Sequence, residues 1–177
     1  MSVSDEWNVP GRPSHPDFEV LADLLSEGDA LDYANLDRFL MSRGLHPKFT
    51  RDAALNDARS VVDEFAKRNI PVSAGGGPMA WVVGFSAGLR KSRGGRVPSV
   101  ADLDAVDGNL VALTGVDEKS VLFVADQRTL RRNQMNASRD GLRQPEDAVE
   151  MLADLWLDGV VVGRGFDARR AELSARP

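Results

Sequence analysis

The chain contains no cysteine among its 177 residues. Disulfide bonds, cysteine-bound zinc, iron–sulfur clusters and thiol nucleophiles are therefore excluded. Its only two histidines, His15 and His46, lie in separate loop-like segments beside prolines, without the spacing of a metal site. No apolar run reaches the length of a membrane span. We expect a cytoplasmic protein that holds no metal or other cofactor.

Motifs of catalysis and nucleotide binding are missing as well. No HExxH, GxSxG, GxGxxG or GxxxxGK[ST] occurs, so zinc hydrolysis, a nucleophile elbow and a phosphate loop have no support. The carboxylate pairs Asp102/Asp104 and Asp154/Asp158 have helical surroundings, and we expect them on solvated helix surfaces. The sequence therefore predicts a protein that is not an enzyme.

Charge is distributed unevenly along the chain. The net charge is −5. Residues 1–42 carry −7, residues 43–96 carry +6 and residues 97–177 carry −4. A basic segment between acidic flanks favours contact with a polyanion, although a plain solvated surface would have the same composition.

Apolar spacing predicts helices over most of the chain. Residues 1–16 are rich in proline and read as an extended arm, with Asp17 placed to cap a helix over 18–26. A second helix is expected through about Met41, ended by Gly44 and Pro47, and a third from Thr50 to Asn69. Residues 99–177 are expected to form a C-terminal helical region, in which the stretch VLFV could instead be a strand.

Between these regions the pattern is typical of a β-hairpin. Residues 70–73 and 79–85 read as strands, and the glycine-rich residues 74–78 as the tip between them. Residues 87–98 read as a basic, glycine-rich linker. The predicted fold class is thus mainly α with a small β-hairpin (α+β), and residues 17–86 form one helical domain that includes the hairpin.

A helix that leads into a hairpin is also how a winged helix is built. The string from Arg59 through Val72, followed by GGGPMAWVVG, resembles winged helix-turn-helix proteins of phages and prophages over about residues 30–86. Asn69 stands where that pattern usually has glycine. The resemblance implies a regulatory protein that binds double-stranded DNA.

Under that interpretation, seven side chains are candidates for nucleic-acid binding. Arg51, Asn56 and Arg59 lie on the polar side of the third helix, where arginine reads guanine and asparagine reads adenine. The linker would neutralise phosphates; its basic residues are Arg90, Lys91, Arg93 and Arg96.

The last helix points to a different class of function. Its apolar run contains Trp156, Gly159, Val160 and Gly163, and the glycines would let another helix approach closely. That helix could belong to the core of the same chain or to a second copy in a homo-oligomer. The alternative function is therefore a phage structural, assembly or host-interaction protein that binds protein partners, in the virion or in the host cell.

Overall fold

The computed structural model describes residues 7–26, 35–96, 100, 109–137 and 145–177. Within these residues every regular element is helical, in the following order: α1 (Pro16–Ser26), α2 (Leu36–Ser42), α3 (Pro47–Lys67), α4 (Gly76–Ser92), α5 (Asn109–Thr114), α6 (Glu118–Ala137) and α7 (Pro145–Ser174). The predicted helical character is confirmed. Asp102 and Asp104, and the start of the predicted second helix, lie outside the described residues.

The predicted β-hairpin is wrong. Residues 76–92 form one helix, α4, so neither the second strand nor the winged-helix unit is present, and the first half of the expected linker belongs to α4 as well. The run MAWVVGF is buried on every side of this helix. A helix that is apolar all round has no amphipathic period, and a short run of this kind resembles a buried strand in sequence.

The glycines of this region serve close packing between helices rather than a hairpin tip. Gly75 precedes α4 with φ 121°, a conformation that favours glycine. A Cβ at Gly77 would lie 2.4 Å from Cγ2 of Thr129 on α6. A Cβ at Gly84 would lie 2.0 Å from the backbone oxygen of Trp156 on α7. Gly77 and Gly84 therefore exclude any side chain unless the residues packed against them move.

α4 and α7 touch backbone to backbone at the centre of the fold. Gly84 and Gly88 lie against the carbonyls of Trp156 and Val160, while Gly159 and Gly163 lie against those of Trp81 and Phe85. Each contact advances four residues along both helices in the same direction, so the two helices run parallel. Small residues four apart are what such close approach requires.

No helix in the described part of the chain is long and apolar enough to cross a membrane.

The remaining helices pack around this pair. α1, α3 and α6 all contact α7, and α6 also contacts α4. Two ion pairs join α6 to α7, Arg128 with Asp158 and Arg132 with Asp154, in an order that makes these helices antiparallel. Trp7 docks the N-terminal arm on the body, with its ring edge-on to Phe18 at 6.0 Å.

Several helix boundaries differ from those predicted. Pro47 does not end a helix but begins α3, because a proline in the first turn lacks only an N–H that would have no helical partner. α7 continues through Gly163 and Gly165 to Ser174, where the sequence predicted fraying. Burial against α4 and α1 offsets the low helix propensity of these glycines.

Candidate functional site

The basic residues at the end of α4 are largely engaged inside the molecule. Arg93 forms two hydrogen bonds to the Asp167 carboxylate, Nε to Oδ2 at 2.7 Å and Nη2 to Oδ1 at 2.8 Å, and its Nη1 donates to the Thr114 carbonyl at 2.6 Å. Arg90 donates from Nη2 to the Leu113 carbonyl at 2.7 Å. The two arginines thus satisfy the last carbonyl groups of α5, which have no helical donor.

The charges of this contact are matched. The hydrogen bonds from Arg93 lower the pKa of Asp167, and the same bonds raise the pKa of Arg93. Three of the five N–H donors of Arg93 are used in these bonds, and the Asp167 carboxylate offsets the charge that would attract a phosphate. Of the four expected phosphate contacts, Arg90 and Arg93 are thus bonded to other parts of the chain, while Lys91 and Arg96 are exposed at the surface.

The α3 residues expected to read bases are at the surface but in a mixed field of charge. Asn56 and Arg59 are exposed on the solvent face of α3, and two carboxylates, Asp52 and Asp63, are exposed on the same helix. Arg51 is exposed and pairs with Asp37 of α2, Nη2 to Oδ1 at 2.5 Å. The positive charge that the sequence suggested is therefore partly neutralised both on the solvent face of α3 and at the end of α4.

The residues expected at an oligomer interface are buried within the chain. Trp156 is 5% exposed and Val160 is 2% exposed. Gly159 and Gly163 meet the α4 backbone directly. The helix that approaches these glycines is α4 of the same chain, which is the intramolecular alternative that the sequence left open.

A carboxylate expected on a solvated surface proves to be internal. Asp158 is 1% exposed; its Oδ2 accepts hydrogen bonds from Nε1 of Trp81 at 3.0 Å and from Nε of Arg128 at 2.7 Å. One turn away, Arg132 pairs with Asp154 at 2.5 Å. Burial raises the pKa of Asp154 to about 6, an effect that Arg132 opposes and Glu150 reinforces. Aspartates three or four residues apart on an apolar helix, opposite arginines with the same spacing, are the sequence signal for this ladder.

His15 and its neighbour Asp17 do not form the hydrogen bond of a catalytic dyad. Nδ1 of His15 accepts a hydrogen bond from the backbone N–H of Asp17 at 3.0 Å, so it has no proton there to donate to a carboxylate. The Asp17 carboxylate accepts from the backbone N–H of Asp117 at 2.9 Å and pairs with Arg170 at 3.2 Å. Asp17 therefore joins α1 to α6 and α7. Among the described residues no group of three potential ligands could hold a metal ion.

Another candidate surface is formed by the turn between α2 and α3 and by the residues on both sides of it. We call residues 35–53 the α2–α3 corner. Gly44 has φ 71° and donates its N–H to the Met41 carbonyl, and Leu45 donates to the Leu40 carbonyl, which together form a Schellman motif. Leu40 and Leu45 are both buried, and apolar residues at these two positions frequently accompany the motif. Nε of Arg164 on α7 donates to the Arg43 carbonyl at 3.2 Å. The corner is thus fixed to the body of the protein.

Two large apolar side chains project from this corner. Met41 is 67% exposed and Phe49 is 69% exposed, more than any other large apolar residue in the described part of the chain. The ring of Phe49 rests against His46, with centroids 4.8 Å apart. Phe49 falls outside the apolar stripe of α3, which is the signal that sequence analysis could have used.

Basic residues are close in sequence to the exposed apolar pair. Residues 35–53 include four basic and two acidic residues, a net charge of +2 in a chain of net charge −5. Arg51 is paired with Asp37, whereas Arg38 and Lys48 are exposed and have no ion-pair partner among the described residues. The α2–α3 corner therefore combines apolar contact area with uncompensated positive charge.

No protein-family model, curated protein or solved structure matches this chain.

Proposed function

We propose that this chain is a non-enzymatic helical interaction protein that binds another protein at its α2–α3 corner. The single observation that carries the proposal is the exposure of Met41 and Phe49 on a fixed turn. Scattered exposed apolar residues are ordinary in proteins. Here the two most exposed ones flank the same turn, beside positive charge, and burying large apolar side chains is a main source of affinity at protein interfaces.

The rest of the fold supports this role as a scaffold. The Schellman turn, the bond from Arg164 and the Arg51–Asp37 pair hold the corner in one conformation. A surface that is already ordered loses little conformational freedom on binding, which favours affinity. This role agrees with the host-interaction or assembly function that the sequence offered as its alternative.

DNA binding is the second candidate, and one specific observation favours it. α2, a four-residue turn and α3 follow one another in the order of a helix–turn–helix, with Asn56 and Arg59 exposed on the second helix. Two observations weigh against it. First, Arg90 and Arg93 donate hydrogen bonds to other parts of the same chain. Second, contact with DNA phosphates would not bury the apolar side chains of Met41 and Phe49.

Site-specific photo-crosslinking distinguishes the two candidates. A benzophenone amino acid would replace Phe49 in one variant and Ala66, exposed near the other end of α3, in a matched control. After irradiation of cells that express the protein naturally, position 49 should give a discrete adduct that protease removes and nuclease does not. A nuclease-sensitive adduct would support DNA binding instead. The same adducts from positions 49 and 66, or none from position 49, would refute the proposed interface.

A further inference from the structure

We infer that the partner presents an acidic amphipathic segment to the α2–α3 corner. This inference rests on the proposed function and adds the chemistry of the partner. It follows from the two kinds of side chain that the corner leaves exposed: the apolar pair Met41 and Phe49, and the cations Arg38 and Lys48.

The apolar pair sets the first requirement. Met41 lies in the last turn of α2 and Phe49 in the first turn of α3, on the two sides of the turn formed by residues 43–46. A partner that covers both must supply apolar side chains, since water and nucleic-acid phosphates gain nothing from this contact. Methionine adapts its shape to different partners, and an aromatic ring offers a large contact area with few rotatable bonds.

The charges set the second requirement. Arg38 follows Asp37, which is already neutralised by Arg51, and Lys48 directly precedes Phe49. Arg38 lies about one helical turn before Met41, and Lys48 is next to Phe49 in sequence. A partner whose carboxylates flank its apolar residues therefore satisfies both cations at the rim of the contact. Complementary rim charges speed association and reject partners of the wrong sign. A basic segment would meet like charge at both positions.

The mode of binding is also restricted. Within the described residues there is no strand, so an extended partner has no sheet edge to join. An amphipathic segment that lays one face on the corner uses side chains only, and this is what the corner offers. Acidic residues on its other side would keep it soluble before binding.

The test uses the full chain and a defined probe. The probe is an end-blocked peptide of Leu, Glu and Ala with leucines at helical spacing; the matched control has Lys in place of Glu. The chain has five methionines, and the Met41 methyl signal is identified by its loss in Met41→Leu. We expect the Glu peptide to shift the Met41 methyl signal and the Lys peptide to leave it unchanged.

Charge reversal then tests the rim. Arg38→Glu with Lys48→Glu should weaken the Glu peptide by about tenfold and allow the Lys peptide to bind. Lys67→Glu, the same change at an exposed site at the far end of α3, should leave both affinities unchanged. The wild type and both variants should remain fully folded at the temperature of the binding measurement, as judged by circular dichroism, which separates a rim effect from unfolding. Lys67→Glu also removes an exposed pair with Glu64, so a small change in its melting temperature is expected.

The outcomes separate this inference from the proposed function. Equal binding of both peptides, or binding of neither, overturns the acidic-segment inference, while a protein adduct at position 49 would still support the interface. A short random-sequence duplex that displaces the Glu peptide at physiological salt would also overturn the inference, in favour of DNA. Failure of both the peptide and the position 49 adduct would reject the interface itself.

Discussion

The indole N–H of Trp81 on α4 donates a hydrogen bond to Oδ2 of Asp158 on α7 at 3.0 Å, although the two residues are 77 positions apart in the sequence. The same oxygen accepts from Nε of Arg128 on α6 at 2.7 Å. A single carboxylate thus joins three helices in the interior. Because it is 1% exposed, its negative charge depends on these donors in place of water.

Replacing Asp158 should therefore be among the most damaging single changes. Asp158→Ala leaves the buried Arg128 without its carboxylate, and we expect a loss of about 3–5 kcal/mol in the free energy of unfolding. Urea unfolding measures this loss. Glu172→Ala is a control on the same helix, since Glu172 is mostly exposed and its pair with Arg169 should be worth less than about 1 kcal/mol. Similar losses in the two variants would contradict the assignment.

The close approach of α4 and α7 predicts opposite behaviour at two neighbouring glycines. In Gly163→Ala the new Cβ would lie 2.0 Å from the Phe85 carbonyl oxygen, a backbone atom, so the helices must separate. We expect a loss of about 3 kcal/mol or more. In Gly165→Ala the nearest atom is the end of the flexible Arg43 side chain at 2.7 Å. That change should stay within about 1 kcal/mol of the parent, because alanine also favours the helix.

Thermal unfolding followed by circular dichroism checks this pair of variants. The two substitutions are chemically identical and lie two residues apart on α7. A difference in melting temperature therefore reports the backbone contact and not helix propensity. If Gly163→Ala were as stable as Gly165→Ala, the parallel packing of α4 on α7 would be wrong.

The raised pKa of Asp154 predicts a specific pH dependence. Its folded pKa of about 6 lies above the ordinary value, so the ionised form weakens the folded state, and this cost disappears as the pH falls through 6 toward 4. Asp154→Asn resembles the protonated form. We expect the variant to be more stable than the parent at pH 7, by roughly 1–3 kcal/mol, and equally stable near pH 4.

Asp167 provides the control of opposite sign. Its pKa is lowered by the bonds from Arg93, so it stabilises the folded state above the ordinary aspartate pKa and loses that effect as the pH falls through its lowered pKa. Asp167→Asn should therefore be less stable than the parent at pH 7 and approach it in acid. Unfolding midpoints between pH 3 and pH 7.5 give both curves. A variant of Asp154 that loses stability at neutral pH would show that the pair with Arg132 outweighs burial.

A comparison of Arg93 with Lys91 tests whether Arg93 stabilises the fold. Arg93→Gln removes the Asp167 and Thr114 contacts, and we expect the melting temperature to fall by about 2–4 °C, the effect of about 1 kcal/mol in a chain of this size. Lys91→Gln, at an exposed site on the same helix, should leave the melting temperature unchanged. Differential scanning fluorimetry is sufficient. Equal shifts in the two variants would contradict the structural role of Arg93.

The sequence predicted the helices whose burial is one-sided. α1 and α3 each keep an apolar stripe, such as Ala54, Val61 and Phe65 in α3, and both were expected close to where they lie. α4 was misassigned because burial on all sides removes the period on which such a prediction depends. The role of Gly84 and Gly88 is visible only in the fold, because the helix they pack against, α7, is distant in sequence.

The candidate site was partly accessible from sequence in the same sense. The basic segment was visible, but which of its members are free depends on tertiary contacts such as Arg93 with Asp167. Aspartate is usually a surface residue, so the sequence alone provides no reason to place Asp158 in the interior. Its burial depends on the hydrogen bonds from Arg128 and Trp81. The exposure of Phe49 depends on how α2 and α3 meet, which local spacing does not determine.

The central position of α7 has a consequence for how the protein is made. α1, α3 and α4 precede α7 in the chain, yet each of them packs on it. During synthesis, the surface of α4 that packs on α7 therefore has no partner until α7 has left the ribosome. We therefore expect much of the core to close only after α7 has been made. Until then the face of α4 that α7 covers stays exposed on the nascent chain, and apolar surfaces of this kind are bound by chaperones.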